Sequence, residues 1–181
     1  MKIDPRKNRA LAEKRLDTET DPICKRNLAL VLAHMKAEAT LDLEGLLATV
    51  AENAKYHFFG SENNAAFSGP KGKANIEAFY KMIVETGLYR IEHDINRVVV
   101  DRCCVITEGN MHIAYPGSLL QAMGYPVDDS DELYMYETQQ LIVWPIDDAG
   151  LIAGEDSYSG EDGFIGIEGR QLKAGDIYSF D

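Results

Sequence analysis

A chain of 181 residues, 45% hydrophobic and 27% charged, has the size and composition of one ordinary globular domain with a proper core. A net charge of −12 repels phosphate backbones and argues against nucleic-acid partners, and no apolar run approaches the length of a membrane span. The three cysteines, Cys24 and the adjacent Cys103 and Cys104, make no disulfide framework; with a charged N-terminus that lacks the apolar stretch of a secretory signal, they place the protein in the cytoplasm.

Residues 1–22 read as a charged N-terminal extension, with helical character over 6–17. Pro22 sits where a helix can begin, and residues 23–39 are helix formers without Gly or Pro. Leu28, Val31, Leu32, Met35 and Ala39 form an apolar face, with Asn27, Leu30, His34 and Glu38 beside it. His34 and Glu38 are four residues apart, close to one helical turn, so they share a stripe. Asp42 continues the spacing but suits the N-cap of a second helix over 43–51, with Glu44 near its positive end. AKYHFF (54–59) has strand character, and GSENNAAFSGPKG (60–72) reads as a loop. A third helix is expected over 74–86, burying Ile76, Phe79, Tyr80 and Ile83 and stopped by Gly87.

Beyond Gly87 the chain changes character. YRIEHDINRVVVD, CCVITEGNMHIAYP, ELYMYETQQLIVWPI and LIAGEDSYSG are rich in β-branched and aromatic residues and read as strands. DDAG (147–150) is a tight turn, 117–132 a long connection, and the Gly-rich tail 161–181 either adds an edge strand or lies over a neighbour. Helices followed by a run of strands mean α+β: N-terminal helices packed in a curved, mostly antiparallel sheet that forms a cone-shaped barrel with a central pocket. Ile91, His93 and Ile95 alternate with Glu92 and Asp94, so period two puts His93 on the apolar face. Glu155 and Asp156 point to opposite faces of the last strand; one faces inward, and the register does not say which. Tyr56 either lines the cavity mouth or packs in the core.

Three strings, DLEGLLATVAENAKYHF, GKANIEAFY and IVWPIDDAGLIAGEDSYSG, in this order and spacing, resemble the nuclear transport factor two-like superfamily over residues 23–160. This superfamily, also called the cystatin-like α+β barrel, includes ketosteroid isomerase, scytalone dehydratase, limonene epoxide hydrolase, SnoaL-like polyketide cyclases and a dehydrochlorinase. The resemblance implies a cofactor-free domain whose sheet often builds dimers, so a homodimer or higher homo-oligomer is expected, with Trp144, Tyr134 and Tyr136 on the sheet face. His34 falls near the isomerase's oxyanion-binding tyrosine and Gln139 near its protonated aspartate. The isomerase's catalytic aspartate has no counterpart, because His57, Phe58 and Phe59 stand at that strand end. The dehydratase and dehydrochlorinase pattern, a carboxylate near the end of the first helix paired with a histidine at the start of the second strand, falls on Glu38 and His93. Asp101 and Arg102 lie at a strand turn and read as a solvated pair, not as an epoxide-hydrolase relay.

Removing a proton next to a leaving group needs a base with a pKa near the working pH, which a histidine supplies, and a carboxylate behind it fixes its tautomer. The expected catalytic set is therefore His34, Glu38 and His93, with Tyr56, Phe58, Phe79, Gln139, Glu155 and Asp156 against the substrate. The same His34, Glu38 and His93 could form a two-histidine, one-carboxylate metal triad, but no further ligand signature accompanies them and no metal or cofactor is expected. The expected activity is a lyase or isomerase, dehydratase- or cyclase-like, acting on a small, largely apolar, oxygenated molecule. The alternative is a non-catalytic ligand-binding or dimeric assembly module of the same fold.

Overall fold

The computed structural model describes residues 3–59 and 68–178, so most of the expected 60–72 loop and the last residues of the tail lie outside the described residues. Three helices open the chain: α1 (Lys7–Thr18), α2 (Pro22–Ala39) and the short α3 (Leu43–Ala48). Asp21 caps α2 by accepting from the Ile23 and Cys24 backbone N–H groups, and Pro22 occupies the first helical position, where no N–H is needed. Asp42 caps α3, its carboxylate accepting from Gly45 N–H at 2.9 Å. Helix α3 is shorter than expected: Thr49 turns its hydroxyl back onto Leu46 O at 2.6 Å, and Val50 pairs with Ile152 in the sheet. Sheet pairing takes the residues that local propensity assigned to the helix.

The remaining elements are β1 (Val50–Phe59), β2 (Ser68–Lys71), α4 (Lys73–Glu85), β3 (Ile91–Val100), β4 (Cys104–Pro116), α5 (Gly117–Ala122), β5 (Leu133–Pro145), β6 (Ile152–Ser159) and the two-residue β7 (Gln171–Leu172). The expected loop thus ends in a strand, β2, and the expected 117–132 connection contains a helix, α5, that buries Leu120. One mixed sheet runs β2-β1-β6-β5-β4-β3, with β7 paired to β5. All ladders are antiparallel except β1 with β6, where Tyr56 faces Glu155 and Phe58 faces Ser157. The β3–β4 register shifts between Ile95 and Arg97, opposite Gly109, where a side-chain Cβ would lie 2.2 Å from Asp94 O. Only glycine permits this bulge, which adds twist to the sheet.

The curled sheet wraps α2. Leu28, Val31 and Met35 pack against Ile95, Val105, Ile142 and Trp144, while Tyr56, Ile76 and Tyr80 form a second core with α3 and α4. Helix α1 lies along β3, the end strand of the sheet, and Asn8 Oδ1 accepts the His93 backbone N–H at 2.7 Å. A side chain here caps an edge donor that would otherwise face water. The segment after β6 crosses the sheet end, with Thr138 Oγ1 donating to Glu161 O at 2.7 Å and the Glu137 N–H donating to Gly163 O. Among the described residues no helix is long and apolar enough to cross a membrane.

Candidate functional site

The concave face of the sheet, α2 and α4 enclose a cavity of about 370 Å³. Its walls are Met35 and Glu38 of α2, Phe79, Tyr80 and Ile83 of α4, and inward residues of the strands, among them His93, Met111, Gln140, Ile142, Trp144, Glu155 and Ser157. Asn8 and Phe164, from opposite ends of the chain, complete it. Tyr115, Tyr136 and Phe164 gather at one end with ring centroids 4.8–5.7 Å apart. Among the described residues the lining contains two carboxyl groups and no lysine or arginine.

Those two carboxyls define the electrostatics. Glu38 lies in the last turn of α2, where the helix dipole offers no help to a negative charge. Burial pushes its pKa up to about 7. Burial, and next the Glu38 charge, push Glu155 up to about 8, against one favourable hydrogen bond donated by Ser157 Oγ at 3.1 Å. Both groups lie deep in the protein yet keep some accessibility through the cavity. Two acids that titrate near neutrality without a lining cation among the described residues can each give up a proton or take one back near physiological pH.

A buried relay backs them. Thr49 donates to Leu46 O, so its oxygen accepts from His34 Nδ1–H at 2.7 Å. His34 Nε2 is then an acceptor and takes the Tyr80 hydroxyl proton at 3.2 Å. Burial lowers the His34 pKa to about 4, which keeps the ring neutral in this tautomer. The Tyr56 hydroxyl is buried against Tyr80, and burial, with the nearby Glu155 and Glu38 charges, pushes its pKa well above the ordinary tyrosine value.

His93 reaches the cavity from β3 on the expected face. Its Nε2 contacts the Gln140 carbonyl oxygen at 3.3 Å, and a carbonyl only accepts, so Nε2 carries the proton and Nδ1 keeps its lone pair. Burial lowers its pKa to about 4, more than the Gln140 carbonyl raises it. No hydrogen bond joins His93 to Glu38, and neither shifts the other's pKa. The two share a cavity, but the carboxyl that couples to Glu38 is Glu155.

The other expected site residues divide. Phe58 and Phe79 line the cavity, and Glu155, not Asp156, is the inward acid of β6. Asp156 instead holds His57 Nδ1 at 2.6 Å on the opposite face. Gln139 points outward and donates to Glu108 at 3.0 Å, while its neighbour Gln140 faces inward. His34 is fully buried behind Tyr80 instead of lining the cavity, and Tyr56 packs in the core. Both His34 nitrogens are engaged by hydroxyls, which leaves no lone pair for a metal triad with Glu38 and His93. Among the described residues, the one grouping able to hold a metal is Asp101, Cys103 and Cys104 on the exposed β3–β4 turn. Sequence reading missed Asn8, Gln140 and Ser157. Ser157 was available, being two residues from Glu155 on one strand face.

No protein-family model and no curated protein sequence matches this chain. Solved structures do. A candidate SnoaL-like polyketide cyclase from Shewanella denitrificans is 16% identical, with a TM-score of 0.61 over 81% of this chain and 97% of its own. A nuclear transport factor two-like protein from Burkholderia xenovorans is 15% identical, with a TM-score of 0.58 over 80% and 97%. An epoxide hydrolase from Mycobacterium tuberculosis, of the limonene-epoxide-hydrolase-like type, is 18% identical, with a TM-score of 0.60 over 81% and 92%. At these identities the likeness is one of fold, and function rests on the site itself.

Proposed function

We propose that this domain of nuclear transport factor two-like fold is a cofactor-independent lyase or isomerase, of dehydratase or cyclase type, working by general acid–base catalysis on a small, uncharged, largely apolar oxygenated molecule. The observation that supports this reading is the Glu38–Glu155 pair: two carboxyls from different elements reach one cation-free, aromatic-lined cavity and both titrate near neutrality. In the proposed cycle the protonated member donates to an oxygen that gains charge, while the ionised member removes a proton from carbon. Electrostatic coupling favours this mixed state, because placing one negative charge raises the cost of the second. Neutral His93 offers Nδ1 as an acceptor for a substrate hydroxyl. The lack of a lining cation disfavours carboxylate and phosphate substrates, which would enter without a partner.

The test uses neutral enolisable ketones, hydroxyketones and epoxides as probes, followed by deuterium uptake from D2O and by product formation. Glu155→Gln and Glu38→Gln are expected to lower the rate about 10²–10⁴-fold. Equal rates in both variants and the unaltered protein would overturn the assignment. Probes that bind without exchange or turnover would transfer the domain to the ligand-binding reading.

A further inference from the structure

A second hollow of about 270 Å³ lies on the helical side of the molecule, between the end of α2, α3, α4 and the start of β3. Its own walls include Leu41, Leu43, Leu46, Val84 and Tyr89. Glu38, Tyr80, Ile83 and Ile91 line both this groove and the main cavity, so these four side chains are the partition between them. Two of the four are polar, and Glu38 stands on a flexible stem at the end of its helix.

The lip of the groove is built against local preference. The Asp42 N–H bonds to Ala37 O at 2.9 Å and the Leu41 N–H to Glu38 O at 3.2 Å, the pattern that closes a helix with a left-handed residue. That residue is normally glycine, but here it is Leu41, with φ 57° and a side chain that is 47% exposed. Val84 faces it from α4, itself 45% exposed. Two apolar side chains thus stay in water at the entrance to a largely apolar groove, lined also by Asp42, Lys81 and Glu85, that shares a four-residue wall with the candidate site.

We propose that the groove is the second chamber of one binding site, and that the ligand is an elongated neutral molecule. Its oxygenated group lies among Glu38, Glu155 and His93, and its hydrocarbon arm passes beside Glu38 to emerge under Leu41 and Val84. The inference rests on the main cavity being a small-molecule site and adds the shape of the molecule. Glu38 is then reached from both sides, by the reacting group and by the arm that positions it.

The single tryptophan, Trp144, lines the main cavity and reports occupancy by its fluorescence. The probes are straight-chain methyl ketones, from hexyl to hexadecyl. Once the main chamber is full, each added methylene is expected to tighten binding about fourfold as it enters the groove. Val84→Trp fills the lip and Leu41→Gly removes it; neither residue lines the main cavity, and glycine suits the left-handed backbone, so the second variant keeps the fold. Both are expected to end the chain-length gain at a shorter ketone while leaving hexyl and octyl binding unchanged. Equal chain-length dependence in all three proteins overturns the two-chamber site and leaves the groove to another occupant, such as a second copy of the chain. No response of Trp144 to any ketone removes the small-molecule reading of the main cavity, and this inference with it.

Discussion

Glu92 and Glu155 are both glutamates that strands carry into the interior, and they meet opposite surroundings. Glu92, 1% exposed, accepts the Asp4 N–H at 2.6 Å, Lys7 Nζ at 3.0 Å and His112 Nδ1 at 3.2 Å. Glu155 has one serine hydroxyl, an acidic neighbour and a wall of hydrocarbon. A buried carboxyl with a full set of donors fastens elements together, here the N-terminal segment to β3 and β4. One with a single hydroxyl donor and an acidic neighbour has its pKa raised by burial and is left free to exchange its proton. The difference separates a structural fastening from a chemical site more sharply than burial alone does.

The largest expected effect on stability breaks the fastening. Glu92→Ala leaves the buried Asp4 N–H without an acceptor and removes one partner of Lys7 and of His112, which keep Asp94 and Glu137. It should cost about 3 kcal/mol in denaturant melts, the half-exposed Lys7 recovering part of its loss in water. A cost below about 1 kcal/mol would erase the contrast.

The acid pair should behave in the opposite sense. Unfolded, Glu38 and Glu155 titrate near 4.5; folded, near 7 and 8. The unfolded chain therefore sheds these protons first, and their contribution, complete below about pH 4, is lost as pH rises through about 8. Glu38→Gln with Glu155→Gln should remove that loss. The double variant should match the unaltered protein near pH 4 and be the more stable of the two near pH 9. Thermal melts across this range would decide it, and parallel curves would mean that both acids are already partnered.

The smallest effect sharpens the comparison. Ser157→Ala removes the one hydroxyl that favours ionised Glu155, so the Glu155 pKa should rise further while stability at pH 6 changes by less than about 1 kcal/mol. Carbon-13 titration of the glutamate carboxyls would follow it, and an unmoved Glu155 would mean that the serine faces elsewhere.

Much of the architecture is legible in the residues because local signals agree with the tertiary result. Pro22 starts α2, Asp42 caps α3, and the β-branched runs after Gly87 become β3 to β6. The inward face of β3 is equally legible, since Ile91, His93 and Ile95 share a period of two. What fails is register and depth. Alternation shows that Glu155 and Asp156 oppose each other, but the parallel pairing of Tyr56 with Glu155 decides which turns inward. The choice of Gln140 over Gln139 likewise follows from the β4–β5 ladder, which sets Gln140 opposite Gly109. Helical spacing places His34 and Glu38 on one stripe, yet Tyr80 of α4 covers one and leaves the other at the cavity. Glu92 looks like an outward residue because nothing local announces that α1 will cover it.

Asn8 and Phe164 carry a consequence for how the cavity comes into being. One wall residue stands in the first helix and another beyond the last long strand, so a growing polypeptide has no finished pocket until synthesis has passed residue 164. No nascent fragment ending before that point could recruit a ligand as a template. Ligand-driven rescue of unstable variants should therefore act on the fully extended chain, after translation through this region, and never on shorter intermediates.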